Sequence, residues 1–238
     1  MDRFYQPDLH SHSQQVILSP PESQHLVKVL RKKTGSLVHL INGKGGLATG
    51  EILTVDSKAC LIQVLDFKQQ AAFPYALHLA IAPTKSNDRF EWFLEKATEI
   101  GVGQITPLLC ANSERRKVNI ERWKKIILSA TKQSQQAFLP QLNALTSFKD
   151  FITDNTSMLL AHCKETPKKV LFSLPATAAP CCILIGPEGD FSWEEINAAT
   201  TQGAQPIKLA NNRLRTETAG IVACQTWHLK AAFRPNVL

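Results

Sequence analysis

"LIGPEGDFSWEEI", residues 184–196, joins an apolar run to an acidic, helix-forming run through a Gly-Pro-Glu-Gly turn. A loop between strand and helix usually holds a phosphate, because the free N–H groups and positive dipole end of the helix attract anions. This loop argues against one. Glu188, Asp190, Glu194 and Glu195 crowd four carboxylates around the helix start, where they complement the dipole and repel a phosphate. Neither a dinucleotide fingerprint nor a P-loop can be read here. Ser192 and Glu195 form a capping-box pair, which starts the helix without a ligand. Two readings follow: a well-made turn in an α/β protein, or a backbone pocket for a ligand that is cationic or rich in hydroxyls.

Outward from that stretch, strand and helix alternate. "ALHLAIAP" (76–83), "QITPLL" (104–109), "SMLLAH" (157–162), "CCILIG" (181–186) and "PIKLA" (206–210) read as strands. The third and fourth are continuous apolar runs, as strands buried on both faces should be. "DRFEWFLEKATEIGV" (88–102) carries Phe90, Phe93, Leu94, Ala97 and Ile100 on one helical stripe and ends at Gly101. "NIERWKKIILSATKQS" (119–134) spaces Ile120, Trp123, Ile127 and Ala130 in the same way, and a last helix is expected from about Thr216 to Ala232. The alternation predicts a mostly parallel sheet with helices packed on it.

Residues 1–70 have a different texture. "LVHLI" (37–41), "GEILTVD" (50–56) and "ACLIQVLDF" (59–67) are short β-like runs, with "NGKGG" (42–46) supplying hairpin turn chemistry. One helix interrupts them: Ser19 as N-cap, Pro20 at the first position and Glu22 as capping-box partner, then Leu26, Val29 and Leu30 on one face. It runs into Arg31, Lys32 and Lys33. "QQAAFPY" (69–75) is the expected linker, so the chain divides into residues 1–70 and 71–238.

Apolar content of 44% and charged content of 20% over 238 residues exclude a disordered chain. The net charge of +7 suits a polyanionic partner. Four basic clusters, Arg31–Lys33, Arg115–Lys117, Arg122–Lys125 and Lys164–Lys169, point to a nucleic-acid surface, although any one alone reads as a solvated face. Six cysteines without a C-x-x-C pair, two of them adjacent in an apolar run, read as reduced core residues rather than disulfides or a zinc site. His10 and His12 lack partners at ligand spacing, so no metal is expected. No stretch approaches the roughly 18 apolar residues of a membrane span and no leader is apparent, which makes a cytoplasmic protein the expectation.

In a parallel sheet, ligands bind outside the carboxyl ends of the strands. Three loops fall there: Ala161 and His162, the Gly-Pro-Glu-Gly loop, and "NNRLRTETAG" (211–220). In the last, Thr216 reads as an N-cap and Glu217 as a first-turn acid, while Ala219, Gly220, Ala223 and Cys224 allow close approach of a neighbouring loop or a second subunit. Neither explains Arg213 and Arg215 just before a helix start, where the dipole disfavours cations.

"GPEGDFSWEE" and "RLRTETAG", with "DRFEWFLEKATEIGV" upstream and "RFY" at residues 3–5, resemble the ribosomal RNA small-subunit methyltransferase E family over essentially the whole chain. The resemblance implies a small N-terminal PUA-like β-barrel and a C-terminal SPOUT methyltransferase domain of α/β class, its mostly parallel sheet tied in a trefoil knot. It further implies a homodimer that transfers methyl from S-adenosylmethionine to N3 of a uridine in 16S rRNA. The cofactor would lie on Leu160, Ala161, Ile185, Gly186, Pro187, Glu188, Gly189, Leu209, Leu214, Arg215, Thr216, Thr218 and Ala219. Arg215 would stabilise charge on the target base, with Glu217 orienting it. RNA would be held by Arg3, Tyr5 and Arg31 on the barrel, and by Lys85, Arg89 and Lys96 beside the cleft.

Three departures stand out. The family's Glu-Gln-Ser-x-Arg is Lys132 to Gln136 here, which bears on the grip of the target nucleotide; Asp190 replaces a commoner glycine; and Asn211 and Asn212 replace a Gly-rich approach, positions where asparagine tolerates positive φ. A SPOUT enzyme with another RNA target, and a non-catalytic ribosome-assembly protein of the same fold, are the alternatives.

Overall fold

Asn42 closes the expected hairpin. Its Oδ1 accepts the N–H groups of Lys44 (2.8 Å) and Gly46 (2.7 Å), and its Nδ2 donates to the Leu9 carbonyl at 3.0 Å. Gly43 and Gly45, at φ +73° and +92°, turn the chain where a Cβ would be strained. The computed structural model describes residues 3–73, 77–155, 157–175 and 181–232. It falls into two units, residues 1–72 with 128–139, and residues 73–127 with 140–238.

The first unit holds β1 (Arg3–Tyr5), β2 (Gln15–Ile17), α1 (Pro20–Gln24), β3 (Leu37–Ile41), β4 (Gly46–Thr54) and β5 (Leu61–Gln69) in a five-stranded sheet ordered β1-β3-β4-β5-β2. Only β1 and β3 pair in parallel. Phe4, Leu26, Leu40, Ile52, Cys60 and Ile62 close its core. β1 and β2 were not expected, because three residues are too few to show alternation.

The helix at Ser19 corrects its reading. α1 is one short piece followed by a π-helical turn at His25–Val29, and Ser19 makes no side-chain cap bond. Glu22 instead turns inward and accepts from Lys132 Nζ at 2.8 Å through each oxygen. The wider π turn swings Val29 into solvent (64% exposed), while Leu26 is buried and Val27 and Leu30 pack on the core. Arg31 ends the turn at φ +52°, and the Lys32 N–H reaches back to the Leu26 carbonyl. Lys132, at the acidic position of the family pattern, is thus held by a buried carboxylate of its own chain.

The second unit contains β6 (Leu77–Ile81), α2 (Asn87–Ile100), β7 (Gln104–Leu109), the start of α3 (Ile120–Gln133), β8 (Gln141–Leu142), β9 (Thr146–Ser147), α4 (Phe148–Asp154), β10 (Met158–Ala161), β11 (Lys169–Val170), β12 (Cys181–Ile185), α5 (Trp193–Thr201), β13 (Gln205–Lys208) and α6 (Thr216–Ala232). The sheet is parallel throughout, in the order β11-β13-β10-β12-β6-β7-β8, with β9 also on β7. The expected α/β class, a parallel sheet in one unit and a barrel-like sheet in the other, is what forms. All five residues of β12 are buried, as its apolar run required. Pro74 and Tyr75 of the expected linker, and Ala76 before β6, lie outside the described residues.

α2 buries Phe90, Phe93, Leu94 and Ala97 and stops at Gly101, φ +109°. The small-residue face of α6 packs on the chain's own α2 and β6: a Cβ on Gly220 would lie 2.5 Å from Phe93 Cε2 and 3.0 Å from Ile81 Cδ1. That packing accounts for the face that the sequence left open to a loop or a second subunit. Among the described residues, no helix is long and apolar enough to cross a membrane.

Candidate active site

The order β13-β10-β12 sets three carboxyl ends side by side, and the loops that leave them enclose a cavity of about 1080 Å³. Its wall is made by Ala161 to Cys163, Glu165, Thr166 and Lys168 after β10; by Ile185 to Glu188 and Asp190 after β12; and by Ile207 to Thr216 and Ala219 from the end of β13 into α6.

The carboxylates of the middle loop hold backbone. Asp190 is buried at φ +64° and accepts the N–H of Cys163 through Oδ2 and of Phe191 through Oδ1, both at 2.9 Å. Asp190, not Asn211 or Asn212, is therefore the residue with positive φ, which explains why glycine suits that place. Glu188 accepts the Lys85 N–H at 2.8 Å. Glu195 completes the expected capping box with Ser192 and also takes the Ala111 N–H at 2.8 Å. At Gly186 a Cβ would meet Phe191 N at 3.1 Å, a tight contact that glycine avoids.

The start of α6 corrects two roles. Thr216 is the first helical residue rather than the cap, and its buried hydroxyl donates to the Gly186 carbonyl at 3.0 Å, tying the third loop to the second. Glu217 is buried and pairs with Arg89 (3.8 Å), not with Arg215. Arg215 lies exposed on the cavity wall, and among the described residues neither it, Arg213 nor Lys208 makes an ion pair.

Of the residues expected to hold the cofactor, Ala161, Ile185, Gly186, Pro187, Glu188, Leu209, Leu214, Arg215, Thr216 and Ala219 line the cavity. Leu160, Gly189 and Thr218 do not: Leu160 is in the core, and Gly189 faces Asn112, whose Nδ2 donates to the Gly189 and Asp190 carbonyls. His162, which the sequence placed in a ligand loop without giving it a role, is a wall residue. Burial, and then Lys168, hold its ring below the usual histidine pKa; Nε2 lies 3.4 Å from Thr166 Oγ1 and Nδ1 has no partner among the described residues.

The cations expected to hold RNA are spread over both units. Arg3 borders a separate cleft of about 240 Å³ with His39, Asp66, Lys68 and Gln135, its Nη1 buried without a partner among the described residues. Tyr5 is half-buried and its phenol is raised by burial and by Asp8, and Arg31 is exposed. In the second unit Lys85 pairs with Glu114 (2.8 Å), Arg89 with Glu217, and Lys96 with Glu95 (2.7 Å) and Glu99 (2.9 Å). None of the six lines the large cavity.

A cavity on a parallel sheet in one unit, and a small barrel-like sheet in the other, are the build of an RNA methyltransferase joined to a PUA domain. The family model for the RNA methyltransferase domain matches residues 71–228, and that for the RNA methyltransferase PUA domain matches residues 18–65. The ribosomal RNA small subunit methyltransferase E of Rickettsia conorii is 30% identical over 230 residues, 93% of each chain. A crystal structure from Porphyromonas gingivalis superposes with a TM-score of 0.88 at 36% identity, over 98% of this chain and 99% of that one. The ribosomal RNA small subunit methyltransferase E of Neisseria gonorrhoeae, solved bound to S-adenosyl methionine, superposes at 0.80 with 26% identity, over 94% and 95%. The chain belongs to the ribosomal RNA small subunit methyltransferase E family.

Proposed function

We propose that this protein transfers a methyl group from S-adenosylmethionine to N3 of a uridine in 16S rRNA, residues 71–238 carrying the chemistry and residues 1–70 an RNA-binding barrel. The observation that carries the reading is the cavity. At about 1080 Å³ it reaches the upper end of small-ligand pockets, roughly 300–1,000 Å³, which leaves room for a target base beside a cofactor. The residues fit that cofactor: its wall offers backbone from three loops, and its carboxylates Glu165, Glu188 and Asp190 suit a sulfonium, while its cations Lys168, Lys208, Arg213 and Arg215 suit the RNA. Ala161, Ile185 to Glu188, Leu209, Leu214, Thr216 and Ala219 would hold it.

When bound, S-adenosylmethionine supplies an electrophilic methyl on a sulfonium centre. The protein supplies position and charge. The loops after β10, β12 and β13 fix the approach line. The N3 nucleophile is the uridine that has lost its proton, so negative charge spreads to the flanking carbonyl oxygens. Arg215, exposed on the wall and without an ion-pair partner among the described residues, stabilises that charge. Glu217 acts at one remove, holding Arg89 and complementing the start of α6. We place the protein in the cytoplasm with the ribosome, as a homodimer.

The test is to incubate the protein with methyl-labelled S-adenosylmethionine and small ribosomal subunits lacking the modification, and then to identify the labelled nucleoside. N3-methyluridine is expected. Label in another nucleoside would keep the cofactor and sink the substrate; cofactor binding without label would favour a ribosome-assembly role.

A further inference from the structure

Trp193 opens α5, and nothing in the cofactor cavity uses it. Its indole is 48% exposed. The Lys164 ammonium stands over the ring, 5.9 Å from the centroid, at the limit of a cation–π contact. Lys164 comes from the segment whose neighbours Cys163 and Glu165 line the cavity, so the indole sits against the outside of the cavity wall. Lys168 Nζ donates to the Lys164 carbonyl, which keeps this segment folded on itself.

The strand order extends the patch. Loops from β12, β10 and β13 lie side by side, and β11 pairs with β13 so that Val170 stands beside Lys208. The loops and strands of this edge of the sheet carry Lys164, Lys168, Lys169, Lys208 and Arg213; Lys164 stands against the indole, and Lys168, Lys208 and Arg213 border the cavity. Among the described residues none of the five makes an ion pair. Like charges at this density repel one another, and phosphates relieve the repulsion. A flat aromatic face among them suits a base, since every base has a face to stack. A second copy of the chain suits it less, because a two-fold contact would set this cationic edge against itself.

We propose that Trp193, steadied by Lys164, stacks on an unpaired base of the substrate RNA beside the target nucleotide, while Lys168, Lys208 and Arg213 take its phosphates. The inference rests on the RNA methyltransferase reading. Its test uses the full-length protein, a 16S rRNA transcript, and Trp193→Ala, Trp193→Phe and Lys208→Ala variants. RNA affinity should fall about ten-fold in Trp193→Ala and about three-fold or less in Trp193→Phe, since a stacked base contributes strongly and a smaller ring keeps part of it. The salt dependence of binding should stay that of the parent in both, and drop by about one ion in Lys208→Ala. S-adenosylmethionine affinity, read by calorimetry, should be unchanged in the Trp193 variants, which certifies their fold. Unchanged RNA affinity and methylation in Trp193→Ala would overturn the platform and leave the methyltransferase reading intact. Dissociation of a dimer in Trp193→Ala, with RNA affinity kept, would also overturn it and assign the face to a second copy. No methylation by the parent protein would fail the underlying reading instead.

Discussion

The loop over residues 186–195 and the loop over residues 208–215 wall the same cavity and treat charge in opposite ways. In the first, Glu188 accepts one backbone N–H, and Asp190 and Glu195 accept two each. In the second, Lys208, Arg213 and Arg215 make no ion pair among the described residues. A carboxylate that satisfies a buried N–H is part of the scaffold, whereas a cation left in the open is available to a ligand. The acidic run that dominates the sequence is thus mainly structural, and the arginines that violate the helix-dipole preference are left open to a ligand.

Substitutions should separate the two loops. The largest effect is expected from Arg215→Ala: methyl transfer under single-turnover conditions should fall about a hundred- to a thousand-fold, as for loss of one charge-stabilising donor, with cofactor affinity and melting temperature nearly unchanged. A fall below three-fold would remove Arg215 from the mechanism. Asp190→Ala should do the reverse. It strands the Cys163 and Phe191 N–H groups, so urea denaturation should show a loss of about 2 kcal/mol, with Asp190→Gly recovering part of it by relaxing the positive φ. Equal losses in both variants would show that strain at φ +64° does not matter.

His78 tests the far end of the sheet, where no ligand loop lies. Its Nε2 is 2.7 Å from Thr106 Oγ1, which also accepts from Asn143 Nδ2, and burial lowers the ring pKa from its ordinary 6.5 to about 4. Between those values the unfolded chain binds more protons than the folded one, so stability is complete above pH 6.5 and declines as the pH falls toward 4. Allowing for partial solvent screening, the decline is about 2 kcal/mol, and His78→Gln should remove this part of the pH dependence of the urea midpoint. The smallest effect belongs to Glu195→Ala, which removes the capping box and the Ala111 contact and should cost about 1 kcal/mol without changing the rate of methyl transfer. A large loss of rate there would break the division between scaffold and chemistry.

Legibility followed the range of the interactions. The capping box at Ser192, the Gly101 stop and the stripe of α2 depend on residues within four places of one another, and each was readable. The π turn after α1 was not, because nothing local marks an i→i+5 step and its outcome is decided by what Leu26, Val27 and Leu30 pack against. In the candidate site, the sequence marked the three loops and Arg215. It misassigned the partners of Thr216 and Glu217, which come from residues 30 positions upstream and from α2.

By itself the sequence determined the parallel α/β sheet, the glycine-bearing acidic loop, and the two arginines misplaced for a helix start. These follow from side-chain period, backbone freedom and dipole sign, all properties of neighbours along the chain. Only the tertiary structure decided that β13 lies beside β10, bringing three distant loops into one cavity, that Asp190 stitches two of them together, and that Lys164 stands over the Trp193 indole. Those arrangements rest on which strands pair across tens of residues. Such pairing is chosen by how buried faces fit together, and no local stretch of the chain records it.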